Sequence, residues 1–175
     1  SMPYAPVFFL DRCGAPGFPT MTDPLWMTFP LLDSLPGFKH RFTLRHPTIP
    51  VDAERQEVVA RLWDWHEAQA REMGFAPGSL RIADQVHGAD VAVVDMDSPQ
   101  QSLACDGLIS ATPGVVLGIY VADCGALYLA DPVSGAFGIV HSGKKGSEQG
   151  IAAVAIRKMQ AHFGSDPKDI RAQLG

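Results

Sequence analysis

The sequence predicts an α+β domain built on mixed β-sheet. Two helical stripes of apolar residues flank a series of short apolar segments, each bounded by Gly, Pro, Asp or Ser. Helices and strands do not alternate strictly along the chain, which disfavours a doubly wound parallel fold. The chain of 175 residues has the length of one ordinary domain and is long enough to bury a core without disulfide bonds.

Pro and Gly are frequent in the first 37 residues, so we predict an irregular N-terminal arm over residues 1–37, with one short strand. Residues 38–175 are predicted to form a single domain. The apolar stretch Val7–Leu10 is too short to be the core of a secretory signal peptide.

The domain begins with a predicted strand over Phe38–Arg45, which the following prolines end. A helix is predicted from a cap at Asp52 to about Met73, with its apolar stripe interrupted at Gln69. A second helix is predicted over Ser147–Phe163, before a glycine that terminates it. Between the helices lie six predicted strands: Leu80–His87, Ala89–Asp95, Gly107–Ser110, Val115–Val121, Ala126–Asp131 and Ala136–His141.

Composition excludes several classes of protein. The formal net charge is −5 and the pI is about 5.6, so a strongly basic nucleic-acid-binding domain is not expected. No apolar run approaches the roughly 18 residues of a membrane span. Three widely spaced cysteines do not form a disulfide framework, which indicates free thiols and a reducing, cytoplasmic location.

Reactive side chains occur at three predicted strand ends, next to small residues. A catalytic Zn²⁺ ion could be bound by three of these side chains, those of His87, Cys124 and His141, with its fourth position open to water or substrate. Cys124 could instead be a thiolate nucleophile that either histidine activates, with Asp123 or Asp106 orienting the base. The sequence does not separate these two interpretations, because the same residues serve both.

The segment Ser142–Gly146 is glycine-rich and dibasic, and a predicted helix follows it. Lys144 and Lys145, together with free N–H groups at the start of the helix, would bind an anion. A solvated basic turn explains the same pattern. The segment also nearly matches a P-loop, but Lys145 stands where that motif needs Ser or Thr to bind Mg²⁺.

Taken in order, these motifs resemble the YfiH-like family, also called the laccase-domain or multicopper polyphenol oxidase family. The resemblance covers about residues 80–175 and is carried by QVHGADV, CDGLIS, GIYVADCGALYLAD, GIVHSGKKGSEQGI and IRAQLG. It implies a four-layer α/β/β/α fold with mixed sheets, and a metal held by His87, Cys124 and His141. It also implies phosphorolysis of purine nucleosides and deamination of adenosine with zinc, or, by the older description of the family, oxidation of phenols with copper.

The resemblance further implies a role for each remaining site residue. Asp123 would orient a metal ligand or carry a proton. Phosphate would be held by the cations Arg45, Lys144 and Lys145 and by backbone N–H groups of Gly143 and Gly146. One cysteine and two histidines form an ordinary zinc set, whereas several copper centres need many histidines, and this chain has 6.

The chain departs from the family pattern at several points. Where the family has His-Ala-Gly-Trp-Arg-Gly, this chain has His-Ser-Gly-Lys-Lys-Gly, so a lysine replaces a planar arginine. The Ser-Leu-Asn segment of the family's N-terminal loop is absent. Family members also continue past the segment that matches Ile170–Gly175, so this chain is either a compact variant or C-terminally truncated.

Four functions therefore remain as hypotheses. The first is a zinc-dependent purine nucleoside enzyme, with purine nucleoside and phosphate as its small-molecule partners. The others are a copper-dependent polyphenol oxidase, a metal-binding paralogue without catalysis, and a cysteine hydrolase acting on amide bonds of cell-wall precursors. The expected oligomeric state is a monomer or a homodimer.

Overall fold

The computed structural model of the chain describes residues 7–11, as backbone, and residues 25–175. Over these residues the protein is mixed α/β, with two β-sheets. Its elements in chain order are β1 (Val7–Asp11), β2 (Trp26–Met27), α1 (Pro30–Asp33), β3 (Phe42–Thr43), α2 (Arg55–Glu72), β4 (Leu80–Ala83), β5 (Val91–Val93), β6 (Gln101–Ser102), β7 (Gly107–Ser110), β8 (Val116–Val121), β9 (Gly125–Ala130), β10 (Phe137–Ser142), α3 (Lys144–Glu148), α4 (Ile151–Phe163), a 3₁₀ turn (Pro167–Asp169) and β11 (Arg171–Leu174).

Both sheets are mixed. The strand order of the first sheet is β2-β3-β1-β8-β4-β6, in which only the β2–β3 pair is antiparallel. The order of the second is β11-β9-β10-β7-β5, in which only the β5–β7 pair is parallel. Consecutive strands β8 and β9 belong to different sheets, so the turn between them crosses from one sheet to the other.

The alternation of side chains along the strands stacks these elements in four layers. Ile119 of β8 and Ile139 of β10 belong to one buried cluster between the two sheets. On the opposite face of β8, Tyr120 contacts His66 of α2. On the opposite face of β10, Val140 packs in a separate cluster with α4. The predicted α/β/β/α architecture is confirmed.

The predicted first helix is present as α2, which begins a few residues later than expected. Its buried face includes Val58 and Leu62, as the apolar stripe predicts. Gln69, which interrupts that stripe, is also buried, and its side chain accepts a hydrogen bond from Arg41 at 2.6 Å. None of the helices within residues 25–175 is long and apolar enough to cross a bilayer.

The prediction of one long helix over Ser147–Phe163 is wrong. The chain forms the short helix α3 and then the longer helix α4. Gly150, between them, lies in the left-handed region with φ 73° and interrupts the helical hydrogen-bond pattern. The predicted strand Phe38–Arg45 is reduced to β3. The short strands β6 and β11 were not predicted, since their polar sequences carry no alternating apolar pattern.

Parts of the predicted N-terminal arm, residues 1–37, are regular where the structure describes them. β1 pairs in parallel with both β3 and β8, inside the first sheet. β2 pairs with β3 at the edge of that sheet. The predicted boundary at residue 38 therefore does not coincide with an edge of the sheet. Residues 1–6 and 12–24 of the predicted arm lie outside the described residues.

We predict that the interface between the two sheets carries much of the stability. Phe137 is fully buried there, so Phe137→Ala should lower the free energy of unfolding by about 3–5 kcal/mol in urea denaturation. Val133 lies in the same hairpin but is 76% exposed, so Val133→Ala should change the stability by less than about 0.5 kcal/mol. Equal losses in the two variants would contradict this assignment of the core.

Candidate metal centre

Three separate segments bring His87, Cys124 and His141 together. His87 follows β4, Cys124 lies in the turn that crosses from β8 to β9, and His141 lies in β10. One ligand atom from each side chain lies within 4.8 Å of the others. His87 is exposed, Cys124 is half-buried and His141 is buried, so the cluster opens to solvent on the side of His87.

A buried carboxylate, that of Asp106, organises two of these residues. Asp106 is fully buried, and its Oδ1 accepts a hydrogen bond from His141 Nδ1 at 2.9 Å. Its two oxygens also accept the backbone N–H groups of Val86, His87 and Gly88, at 3.1, 2.8 and 2.7 Å. Because Nδ1 of His141 is occupied by Asp106, Nε2 is the nitrogen left for the cluster.

The same hydrogen bonds support an unusual backbone conformation at His87. Its φ of 60° lies in the left-handed region, which a residue with a side chain rarely adopts. The N–H groups on both sides of His87, and its own, point to one carboxylate, so Asp106 holds the turn that presents this imidazole.

Asp106 stays ionised because its hydrogen bonds outweigh its burial. Burial alone would raise the pKa of this carboxyl. Hydrogen bonds from His141 and from the backbone N–H groups act in the opposite direction, and the net effect lowers the pKa of Asp106. An ionised Asp106 accepts from the imidazole and raises the basicity of its other nitrogen as a ligand.

From the sequence, Asp106 was predicted only as one of two carboxylates, with Asp123, that could orient a histidine acting as a base. The structure places Asp123 beside the sulfur instead, with its Oδ1 3.8 Å from Cys124 Sγ. The signal for Asp106 lies in the strand register: Gly107 pairs with Val140, so Asp106 lies next to His141. That register was not available from the apolar pattern of β7 and β10 alone.

The surroundings of Cys124 do not favour a free thiolate. Burial raises the pKa of the Cys124 thiol, and the nearby carboxylate of Asp123 raises it further. A nucleophilic cysteine needs the opposite, a neighbour that lowers its pKa. A bound cation would reverse the balance, since it favours the deprotonated sulfur. This environment therefore suits a metal ligand better than the nucleophile of a cysteine hydrolase.

The space around the cluster also fits a metal ion. A Cβ atom at Gly143 would lie 3.2 Å from Cys124 Sγ and 3.4–3.5 Å from two ring atoms of His141, so only glycine leaves this side of the cluster open. One sulfur and two imidazole nitrogens form an ordinary donor set for Zn²⁺, with a fourth position open to water or substrate. His87, Cys124 and His141 therefore have the donor chemistry that a zinc ion needs.

Close packing explains why the second glycine of the segment Ser142–Gly146, Gly146, carries no side chain. A Cβ atom at Gly146 would lie 2.7 Å from the carbonyl oxygen of Gly88, so α3 packs directly on the turn that carries His87. Lys144 and Lys145, in the first turn of α3, are exposed to solvent. Their predicted role in phosphate binding, and that of the N–H groups of Gly143 and Gly146, stays a prediction.

A pocket of about 140 Å³ adjoins the cluster. It is lined by the three candidate ligands and by side chains from α2, β8 and the turns beside them: Arg55, Val58, Val59, Gln85, His87, Tyr120, Val121, Ala122, Asp123, Cys124 and His141. Of the predicted site residues other than the three candidate ligands, Asp123 lines this pocket. Arg45, Lys144 and Lys145 do not.

Arg55 and Gln85 line the pocket and were not among the site residues predicted from the sequence. The Gln85 side chain bridges to β8, where its Oε1 accepts Tyr120 N–H at 2.8 Å and its Nε2 donates to Tyr120 O at 2.7 Å. Arg55 Nη2 donates to Ala83 O at 2.9 Å and to Gln85 Oε1 at 3.2 Å, and Nη1 donates to Gln85 O. These contacts hold the chain between β4 and His87, and they depend on tertiary packing that no local motif reveals.

The four hydrogen bonds to Asp106 lead to a first prediction for this site. Asp106→Asn turns one acceptor oxygen into a donor, so it should weaken zinc binding by about 10- to 100-fold and lower the free energy of unfolding by about 1–3 kcal/mol. Competition with a chelator and urea denaturation measure the two effects.

Asp131 provides the matched control. It is also fully buried and accepts hydrogen bonds, from Val133 N, Ser134 N and Ser134 Oγ, but it lies at the far end of the β9–β10 hairpin. Asp131→Asn should cost similar stability and leave the zinc affinity unchanged. Equal zinc affinity in the Asp106→Asn variant and the wild type would show that Asp106 does not orient a ligand.

The clearance at Gly143 leads to a second prediction. Gly143→Ala should weaken zinc binding by about tenfold or more, because Cys124 Sγ must move by a few tenths of an ångström from a position that metal coordination fixes closely. At Gly88, a new Cβ would make only ordinary contacts of 3.5 and 3.7 Å, so Gly88→Ala should bind zinc nearly as the wild type does. A smaller loss at Gly143 than at Gly88 would refute the steric argument.

Known proteins with similar sequences support the family resemblance that the motifs indicate. A purine nucleoside phosphorylase of Streptomyces coelicolor is 40% identical over 112 residues, which cover 62% of this chain and 45% of that protein. A purine nucleoside phosphorylase of Mus musculus is 33% identical over 159 residues, which cover 91% of this chain and 33% of that protein. The chain thus spans less than half of the length of either relative.

The fold is shared with a solved structure. The crystal structure of the hypothetical protein YfiH of Bacillus licheniformis matches with a TM-score of 0.62 and 28% identity, over 73% of this chain and 50% of that one. The family model described as multi-copper polyphenol oxidoreductase laccase matches residues 53–175. The resemblance drawn from the motifs is confirmed, and the chain belongs to this laccase-domain, YfiH-like family.

Proposed function

We propose that this chain carries the metal centre of a zinc-dependent purine nucleoside enzyme, whose main reaction is phosphorolysis. The observation that carries the proposal is the cluster of His87, Cys124 and His141 at the wall of an open pocket. The names of the Streptomyces and mouse relatives support the choice of substrate.

The reaction proposed here balances without an oxidant or reductant. An oxygen of inorganic phosphate forms a bond to C1′ of the ribose, and the bond between C1′ and N9 of the purine breaks. Its electron pair goes to the base, which gains the proton that hydrogen phosphate releases, and the products are ribose 1-phosphate and the free base. When bound, Zn²⁺ would supply a Lewis acid that stabilises negative charge as it develops on the substrate.

The pocket offers surfaces that suit the two halves of a nucleoside. Val58, Val59 and Val121 give it an apolar wall on which a purine ring can lie, and the aromatic Tyr120 adjoins them. Asp123 supplies a carboxylate that can accept hydrogen bonds from ribose hydroxyl groups or carry a proton to the base. Asp106 keeps His141 oriented throughout.

Adenosine deamination is a second candidate reaction at the same centre. The observation that favours it is the ligand number, because three protein ligands leave a position where water can be activated. A copper-dependent polyphenol oxidase is less well supported. Within residues 25–175 the structure places one group of candidate ligands, whereas multicopper oxidation needs several copper centres.

The direct test is to incubate the zinc-loaded chain with adenosine, inosine or guanosine, with and without phosphate. Phosphorolysis should release free base and ribose 1-phosphate in equal amounts, and only with phosphate. Deamination should convert adenosine to inosine without phosphate. If zinc is bound and no product forms in any of these mixtures, the proposed function is wrong.

We predict that Cys124→Ala and His141→Ala each abolish both stoichiometric zinc binding and activity, because two remaining ligands hold the ion too weakly. Cys105→Ala is the matched control, since Cys105 is a buried free thiol outside the cluster. It should keep one zinc per chain in metal analysis. Stoichiometric zinc in both ligand variants would overturn the assignment of the centre.

A further inference from the structure

The pocket beside the metal centre contains one fixed positive charge. Among the described residues that line it, Arg55 is the one Lys or Arg side chain. The lysines of the dibasic segment lie outside the pocket, on the exposed side of α3. We propose that Arg55 binds the phosphate that attacks the nucleoside, an inference that rests on the proposed function.

The guanidinium of Arg55 is oriented before any ligand arrives. Nη1 and Nη2 donate to the carbonyl oxygens of Gln85 and Ala83 and to Gln85 Oε1. These contacts fix the plane of the group, so little side-chain entropy is lost when an anion binds.

The acceptors that hold Arg55 leave its charge available. The two carbonyls and the amide oxygen are neutral, so they orient the guanidinium without neutralising it. The carboxylate of Asp84 approaches only to 3.9 Å from Nη1, and its Oδ1 also accepts from Gln56 at 3.1 Å. Asp106 contributes attraction as well, but its oxygens are occupied by His141 and by backbone N–H groups.

Part of the guanidinium is free to donate to a ligand. Nε–H and the second N–H of Nη1 donate to none of the residues that the structure describes. The side chain of Arg55 is 30% exposed, so it is accessible yet partly shielded from solvent. These two donors lie on different edges of the planar group, so a phosphate can accept one charge-assisted hydrogen bond from Arg55, and partial desolvation strengthens the attraction of the charge.

The position of Arg55 on its helix also favours an anion. It is the first residue of the 18-residue helix α2, and the capping residue Glu54 makes no side-chain hydrogen bond to the helix end. The helix dipole therefore adds positive potential near the same end of the pocket. Exposed lysines such as Lys144 and Lys145 have no comparable enclosure, and salt screens their attraction more strongly.

The experiment measures binding of inorganic phosphate to zinc-loaded protein by isothermal titration calorimetry. Arg55→Gln should weaken phosphate binding by about 10- to 100-fold, because a charge-assisted hydrogen bond is lost together with the positive charge. Arg55→Lys keeps the charge but loses the planar group that the carbonyl oxygens orient, so its loss should be intermediate. Arg61→Gln is the matched control: it removes one positive charge from the same helix, where Arg61 pairs with Glu57.

Kinetics with purine nucleoside separate binding of phosphate from a general loss of structure. In Arg55→Gln the KM for phosphate should rise by about tenfold or more, while the KM for nucleoside stays within about threefold. Zinc content and the thermal midpoint are measured for each variant. If Arg55→Gln loses zinc, the comparison of Arg55→Lys with the wild type decides the question.

The outcomes distinguish this inference from the proposed function. Wild-type phosphate affinity in zinc-bound Arg55→Gln or Arg55→Lys overturns the inference, as does a loss of affinity in Lys144→Ala/Lys145→Ala that exceeds the loss at Arg55. Phosphate binding that depends on Arg55, in a protein that cleaves no purine nucleoside, supports the phosphate site and overturns the proposed function.

Discussion

The site depends on one buried carboxylate and the four hydrogen bonds that it accepts. Asp106 precedes β7 in the second sheet, and it binds both the ring of His141 in β10 and the backbone around His87, which leaves the first sheet after β4. The turn with Cys124 crosses between the sheets at the same place. The two-sheet architecture thus brings three candidate ligands together, and Asp106 fixes the orientation of two of them.

Close approach of backbone completes the centre. Gly143 leaves room beside the sulfur of Cys124, and Gly146 lets α3 contact the turn that carries His87. The negative charges gathered here are Asp106, Asp123 and, once deprotonated, Cys124. Because burial and Asp123 raise the pKa of the Cys124 thiol, this arrangement is complementary to a cation. A zinc ion bound here would therefore balance these negative charges.

Local sequence patterns predicted the parts of the fold that periodicity controls. Apolar runs located β7 and β8, and the helical stripe located α2. Short polar strands such as β11 were not predicted, because no local pattern distinguishes their sequences from loops. The break between α3 and α4 was not predicted either, because it depends on one glycine, Gly150, in the left-handed region.

The clustering of His87, Cys124 and His141 was predictable because each residue lies in a motif beside small residues, at or near the end of a strand. The choice of Asp106 over Asp123, and the roles of Gln85 and Arg55, were not predictable. Each follows from strand register or from the packing of α2 on the turn after β4. The sequence predicted anion binding by the dibasic segment, yet the fixed positive charge of the pocket comes from Arg55 of α2, outside the motifs that carry the resemblance.

The central claim is that one sulfur and two imidazole nitrogens, held by Asp106, bind a single zinc ion. X-ray absorption spectroscopy on protein purified without added metal tests it most directly. We expect a zinc edge, with one sulfur neighbour at about 2.3 Å and nitrogen neighbours at about 2.0–2.1 Å. A zinc spectrum without sulfur, or a copper edge in place of zinc, would contradict the account.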